Sequence, residues 1–309
     1  MNRVLLLGAG GFLGRHVGAL LAAHADVRAP DRSACDLVRI DLPALIALLS
    51  RERPDAVVVA AGRIVGSGYD FVRAHVLATA KLVEAMAEAV PTARLVRIGS
   101  AAEYGAVPYG LAVTEDHPCA PVNEYGLSHL TATRLAELAG TAGRVDTVVL
   151  RVFNPVGPGI PAGNVLGRVT ALIRSARAAG DDGIALGLHD TYRDFVDVRD
   201  VASAVLAAVR SAPTADRVVN VGSGRAVAVR DVVRLLAEVA GFTGDVRDGG
   251  FAADAGRSAT VPWMCADTTR AGRVLGWAPA YDLRESLTAL WRTDGAVPPV
   301  RPLAPLETG

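Results

Sequence analysis

The feature that most constrains the fold is a run of glycines close to the start of the sequence. Gly8-Ala9-Gly10-Gly11-Phe12-Leu13-Gly14 follows the apolar stretch Val4 to Leu7 and opens a helical pattern over Phe12 to His24. A strand, a tight turn and a helix in that order leave the backbone few options. Glycine at 8, 11 and 14 permits the turn and lets the backbone approach a pyrophosphate, and the helix start offers free N–H groups and a dipole to the anion. A merely structural glycine turn is the competing reading, and the strand–turn–helix context weighs against it.

The same alternation continues through the first half. Strands are expected at Asp26 to Ala29, Ala56 to Ala60, Leu95 to Ile98 and Thr147 to Arg151, with helices at Leu42 to Glu52, Asp70 to Ala89 and Glu124 to Ala139. Near-continuous Val/Ile/Leu strands separated by helices indicate a parallel sheet covered on both faces. The fold class is therefore α/β, a Rossmann-type doubly wound parallel sheet. Gly and Pro crowd at Asn154 to Pro161, where a second lobe is expected to begin. We place a dinucleotide-binding unit at 1–157, with about 194–222 returning to it, and a smaller mixed α/β substrate-binding lobe at 158–309. Helical patterns at 164–179, 198–211, 229–240 and 282–292 populate that half, and the Pro-rich tail from Pro298 is expected to be extended.

Composition narrows the function classes. The 309 residues carry 32 Lys+Arg and 32 Asp+Glu, a net charge of zero, so no general field favours nucleic acid or an anionic membrane. An anionic ligand must be held by arginines placed locally. Cys35, Cys119 and Cys265 form no CxxC pair, and the histidines His16, His24, His117 and His189 show no ligand spacing, so no metal is expected. The apolar start is too short for a signal peptide, and no run reaches the ~20 residues of a membrane helix, so a cytoplasmic protein is expected.

Several residues are placed to serve a dinucleotide. Asp31, just past the second strand, suits the adenosine ribose diol and favours NAD, whereas Arg32 and Arg15 suit a 2′-phosphate, so NAD and NADP both stay open. Asp36 is a candidate for the adenine edge or a plain loop carboxylate. Ala60, Ala61 and Gly62 end the third strand with small residues, as a close dinucleotide requires.

The chemistry-bearing residues follow the later strands. Ser100 ends the fourth strand, at the crevice side of a parallel sheet. Tyr125 and His129 are i and i+4 on one helix face. With GAGGFLG, IGSAAEYG, YGLSH, LRVFNPVGPG, YRDFVDVRDV, VVNVGSG and ADTTRAGRVLGW, the chain resembles the extended short-chain dehydrogenase/reductases, the NAD(P)-dependent epimerase/dehydratase family, along nearly its whole length. IGSAAEYG, VFNPVGPG, RDFVDVRDV and RSATVP look most like reductases of GDP-4-keto-6-deoxymannose. The resemblance implies that Ser100 bonds the reacting carbonyl oxygen, that Tyr125 exchanges its proton, and that Asn154 lies near substrate and nicotinamide. It also implies that Arg193 and Arg257 grip a nucleotide diphosphate, which suits the guanidinium fork. An Arg193–Asp194 ion pair is the structural alternative. Asn164 reads first as a helix cap and second as a diphosphate contact. A homodimer is implied, with Leu77, Leu82, Val83, Met86, Leu127, Leu130 and Leu135 supplying contacts where they do not face their own sheet. His75 stands where the family often has Asn.

Two departures from the family pattern are informative. His129 replaces the lysine of YxxxK, which keeps a cation beside the tyrosine and bonds the nicotinamide ribose. A histidine titrates near 6.5 and a tyrosine near 10, so a mostly neutral imidazole assists the phenolate less than a lysine does, although its N–H can still bond the ribose. Donating a proton needs only the phenol, which points to carbonyl reduction over reversible epimerisation. Secondly, Ala101 and Ala102 stand where dehydratases carry an Asp-Glu pair, and Glu103, one step on, reads as structural, so elimination of water is disfavoured. The expected activity is an NAD(P)H-dependent ketoreductase acting on the 4-keto group of a nucleotide-linked 4-keto-6-deoxy sugar. A ketone on a polyketide or antibiotic-like metabolite is the first alternative, a nucleotide-sugar 4-epimerase the second, and a dinucleotide-sensing protein without turnover the third.

Overall fold

The computed structural model describes residues 3–187, 191–252, 261–293, 297, 300 and 301. Arg257, His189 and most of the tail from Pro298 lie outside the described residues.

The first half builds β1 (Arg3–Leu7), α1 (Phe12–Ala22), β2 (Asp26–Arg28), α2 (Leu42–Glu52) and β3 (Ala56–Val59). Asp41 starts α2 by accepting from the Ala44 N–H at 2.8 Å, and Arg53, left-handed at φ 45°, ends it before Pro54. The helix expected over Asp70 to Ala89 is three pieces: α3 (Gly68–Phe71), a π-helical turn (Val72–Leu77) and α4 (Ala78–Ala89). It begins earlier than expected because Ser67 and Asp70 form a reciprocal capping box. Then come β4 (Arg94–Ser100), a 3-10 turn (Ala101–Glu103), β5 (Ala112–Val113), α5 (Glu124–Thr141) and β6 (Asp146–Val152).

The second half runs β7 (Asn154–Val156), α6 (Val165–Ala179), β8 (Gly183–Gly187), β9 (Tyr192–Asp197), α7 (Val198–Arg210), β10 (Val218–Val221) and β11 (Ala226–Ala228). It continues with α8 (Val229–Val239), β12 (Asp245–Ala252), β13 (Trp263–Ala266), α9 (Thr269–Leu275) and α10 (Leu283–Arg292). Apart from the eight-residue β12 its strands run three to six residues, too short for a period-2 pattern to stand out in the sequence.

Six parallel strands form the main sheet in the order β10-β6-β4-β3-β1-β2. Alternation along β1 shows both faces in use. Val4 and Leu6 pack with Val17 and Leu21 of α1 and Val205 of α7, while Leu5 and Leu7 pack with Leu45 and Leu49 of α2 and Leu82 and Met86 of α4. The order reverses between β1 and β3, so the crevice lies beyond their carboxyl ends, at Gly8 and Ala60. A second, mixed sheet runs β11-β9-β13-β5, with β7 also paired to β9, and β12 pairs with β8. β10 completes the main sheet, whereas β9 belongs to the mixed one. No helix among the described residues is long and apolar enough to cross a membrane.

The apolar helix positions divide. Leu82, Val83 and Met86 are buried inside this subunit against the sheet, so they are withdrawn as partner contacts. Leu77 and Leu127 remain exposed.

The glycine turn is held by backbone proximity. A Cβ on Gly14 would meet the Gly8 carbonyl oxygen at 1.9 Å, whereas one on Gly10 would meet nothing within 4 Å. Gly14→Ala is therefore expected to cost about 1–3 kcal/mol or more, and Gly10→Ala less than about 0.5 kcal/mol. Urea unfolding of the two variants checks the contrast, and equal stabilities would contradict it.

Candidate active site

A cleft of about 430 Å³ opens at the carboxyl ends of β1, β3 and β4. Its walls gather most of the residues singled out from the sequence: Gly11, Phe12, Leu13, Ala60, Ala61, Gly62, Ser100, Tyr125, His129, Asn154, Asn164 and Arg193. Gly8 and Gly14 sit behind it. Gly8 has φ +94°, and its missing Cβ would lie 2.5 Å from the Ala61 nitrogen, so the first turn presses on the end of β3. Gly11 is the N-cap of α1 and brings no side chain to the first-turn N–H groups. Those groups, the adjoining small residues and the cleft together fit a dinucleotide pyrophosphate.

Of the adenosine-side residues, Arg32 and Asp36 line a separate depression with Arg39, whereas Asp31 is not among its walls and Arg15 donates to the Gly159 carbonyl at 3.3 Å. Asp31 closes its own turn: one carboxylate oxygen accepts from the Ser33 hydroxyl at 2.6 Å and from the Ser33 and Ala34 N–H groups at 2.9 Å each. The Ser33 hydroxyl first, then these N–H groups, hold that carboxyl below its ordinary range. Asp36 accepts from the Val38 N–H at 2.9 Å and is bracketed by Arg32 at 3.1 Å and Arg39 at 3.9 Å. In this arrangement Asp36 organises the two arginines.

Two local devices bring the reacting side chains together. Ser100 caps the 3-10 turn: its hydroxyl oxygen accepts from the Ala102 N–H at 3.2 Å, and Glu103 accepts from the Ser100 N–H at 3.1 Å. The turn, not a continued strand, directs Glu103 inward. Accepting there leaves the Ser100 O–H to donate. Asn123 caps α5 by accepting from the Gly126 N–H at 2.8 Å, which sets Tyr125 in the first turn. A Cβ on Gly126 would lie 2.4 Å from the Ala102 carbonyl oxygen, so only glycine lets α5 close on the turn that carries Ser100.

Behind Tyr125 two imidazoles lie with centroids 4.1 Å apart and planes tilted by 43°, His129 lying 4.6 Å and His75 5.8 Å from the tyrosine ring. Their hydrogens are assigned by their neighbours. His75 Nε2 accepts from the Arg63 N–H at 3.1 Å, so its hydrogen is on Nδ1 and points to the Ser128 hydroxyl at 2.8 Å. Ser128 in turn donates to the Tyr125 carbonyl at 2.8 Å. His129 Nδ1 faces a terminal nitrogen of Arg97 at 3.4 Å, and a guanidinium only donates, so Nδ1 accepts and Nε2 carries the hydrogen. Burial first, then Arg97, pushes His75 down to about 4. Burial, Arg97 and His75 hold His129 well below its ordinary value. Both rings are neutral at pH 7. Arg97 escaped the sequence reading, although a charge inside the buried run RLVRIGS was a visible signal.

On the facing wall Asn154 donates to the Asp194 carbonyl at 2.8 Å, tying β7 to β9. Asn164 caps α6 by accepting from the Leu166 N–H at 3.0 Å, its first expected role. The Arg193–Asp194 ion pair is not what holds this segment. Asp194 accepts instead from the Ser223 hydroxyl and the N–H groups of Ser223, Gly224 and Ala266, because neighbours on a strand face opposite ways.

The model of the NAD dependent epimerase/dehydratase family matches residues 4–222. The chain is 42% identical over 312 residues to a dTDP-6-deoxy-L-talose 4-dehydrogenase (NAD(P)(+)) from Kitasatospora kifunensis, covering 96% of each chain. It is 29% identical over 298 residues to a GDP-6-deoxy-D-mannose reductase from Pseudomonas aeruginosa, covering 94% of this chain and 96% of that one. The structure of RMD from Pseudomonas aeruginosa complexed with NADPH superposes with a TM-score of 0.82 at 27% identity, over 94% of this chain and 98% of that one.

The neutral imidazoles have a measurable consequence. The unfolded chain protonates His75 near 6.5 and the folded one near 4, so folding expels a proton in that window. This contribution is present above pH 6.5 and is lost as pH falls from 6.5 to 4. Asp200, pushed up to about 7 chiefly by burial, works with the opposite sign. Comparing wild type with His75→Asn cancels it. Melting temperatures at pH 7 and 5 are expected to show a smaller acid loss in the variant, and an equal loss would refute the neutral assignment.

Proposed function

This chain belongs to the NAD dependent epimerase/dehydratase family, and we propose that it reduces the 4-keto group of a nucleotide-linked 4-keto-6-deoxy sugar at the expense of NAD(P)H. The observation that carries the reading is the meeting of Ser100, Tyr125 and a neutral His129 in one cleft with Ala101 and Ala102 and, among the described residues that line it, no carboxylate pair. The relatives support the substrate class: one is a 4-dehydrogenase and one a reductase, and both are named for nucleotide-linked 6-deoxy sugars.

Bound NAD(P)H supplies the hydride. The residues of the chain do the rest. The first turn of α1 receives the pyrophosphate, and His129 donates from Nε2 to the nicotinamide ribose. Ser100 donates its hydroxyl hydrogen to the carbonyl oxygen, which gathers charge as reduction proceeds. Tyr125 delivers its proton to the resulting oxygen as general acid. Asn154 orders the wall beside the reacting carbon, and Arg193 takes the diphosphate, with Arg257 as its partner. Asp31 serves the adenosine ribose, and Arg32 and Arg39 are available to a 2′-phosphate. We place the dinucleotide-binding unit at 1–157 with about 194–222 returning to it, and the substrate lobe in the remainder. We also propose a homodimer through the exposed face that carries Leu77 and Leu127.

Thermal unfolding with NADH or NADPH, then with dTDP, GDP or UDP added, tests the binding half. A ligand at ~100 times its Kd stabilises by ~2.7 kcal/mol, a shift of a few degrees. One nucleoside diphosphate is expected to add its shift to that of the cofactor. If none does, the ketone belongs to a metabolite without a nucleotide handle. For the chemistry, Tyr125→Phe is expected to lower kcat at least ~100-fold while keeping the cofactor shift, and undiminished cofactor oxidation in that variant would remove the proposed acid.

A further inference from the structure

Arg97 takes no part in the chemistry described so far, yet it is one of the most deeply placed charges in the molecule. It lies in β4 at 3% exposure, and a guanidinium so buried needs compensation. Its hydrogen-bond partners among the described residues are neutral groups: Nε to the Thr79 hydroxyl at 3.2 Å, one terminal nitrogen to the Thr133 hydroxyl at 3.4 Å, and the other to His129 Nδ1 at 3.4 Å. The carboxylate that feels its charge is Glu103. That carboxylate is already committed to Arg151 at 2.8 Å and reaches Arg97 only through Thr133, which donates to it at 3.0 Å. Among the described residues, this buried cluster therefore holds two guanidinium groups against one carboxylate. The surplus cation stands behind His129, 3.4 Å from its Nδ1, and the His129 ring lies 4.6 Å from the Tyr125 ring, centroid to centroid.

We propose that Arg97 is the positioning residue that carries the cation of this site: acting through His129, it supplies the positive charge that a lysine at position 129 carries in the YxxxK pattern, and it fixes the imidazole as the Nε2–H donor. The two duties that one lysine side chain performs are thereby divided. His129 keeps the hydrogen bond to the ribose, and Arg97 keeps the charge. The other ionisable groups on the elements around Tyr125 do not substitute for it. His75 is neutral, Arg151 is neutralised by Glu103, and Asp70 on α3 is paired with Arg63 at 3.8 Å. Glu124, on α5 itself, lies against Gly68. A cation at Arg97 favours the phenolate, so the preference for reduction expected from a neutral residue 129 is moderated, and oxidation of a C4 alcohol stays within reach.

The proposal deepens the reading of Tyr125 as the proton-exchanging group, and its test does not require the sugar. Ultraviolet difference titration of wild type against Tyr125→Phe, without ligands, isolates the ionisation of this one phenol. The wild-type midpoint is expected below the ~10 of a free tyrosine. Arg97→Met is expected to raise it by about one unit or more, and Arg97→Lys to bring it back down. The pH profile of kcat/KM should move in parallel, which a merely structural arginine would not cause. A wild-type midpoint at or above ~10 overturns the proposal even if Arg97→Met does not fold. An unchanged midpoint in a folded Arg97→Met also overturns it. A lowered midpoint without turnover of any keto sugar would instead fault the functional reading and leave the role of Arg97 standing.

Discussion

The ion pair between Glu103 and Arg151 is the constraint on which the site depends. Both side chains are almost entirely excluded from solvent, and Nε meets the carboxylate at 2.8 Å. A pair at that depth is tolerated only if its remaining lone pairs and protons are satisfied. Glu103 meets this demand by accepting also from the Ser100 N–H and the Thr133 hydroxyl. One carboxylate thereby joins the end of β4, the middle of α5 and strand β6, the three elements that present Ser100, Tyr125 with His129, and the approach to Asn154. Arg151 also lies over the Tyr104 ring at 4.7 Å, and Tyr104 donates to Asn220 of β10 at 2.7 Å, so the same anchor extends to the far edge of the main sheet.

Much of this arrangement was legible in the sequence because it is local. The glycine turn specifies its own geometry, and each parallel strand of the first half is a short apolar run between helical patterns. Ser100, Tyr125 and Asn154 sit at ends of such elements, where a parallel sheet directs them to one crevice. The cap at Asn164 is equally local and falls where a helical pattern starts.

What the sequence hid depends on contacts distant along the chain. Glu103 reads as an unremarkable acid until Arg151, 48 residues away, closes on it. Arg97 gains its meaning only when α5 sets His129 against it, 32 residues on. The short strands of the mixed sheet are stabilised by β9, which pairs with β7, β11 and β13, and not by any propensity of their own. Leu82 and Leu77 look alike in a helical pattern, and only the packed sheet shows that the first points inward and the second outward.

β6 ends at Val152 and β7 begins at Asn154, so a single residue, the buried Phe153, separates an inner strand of the main sheet from a strand of the mixed sheet. Backbone changes in that sheet are therefore transmitted directly to the nucleotide crevice. Arg193 of β9 and Met264 of β13 line the same cleft and are themselves buried. A residue inserted or deleted at this one-residue joint would shift the two sheets against each other, whereas a side-chain exchange there would leave their registers in place.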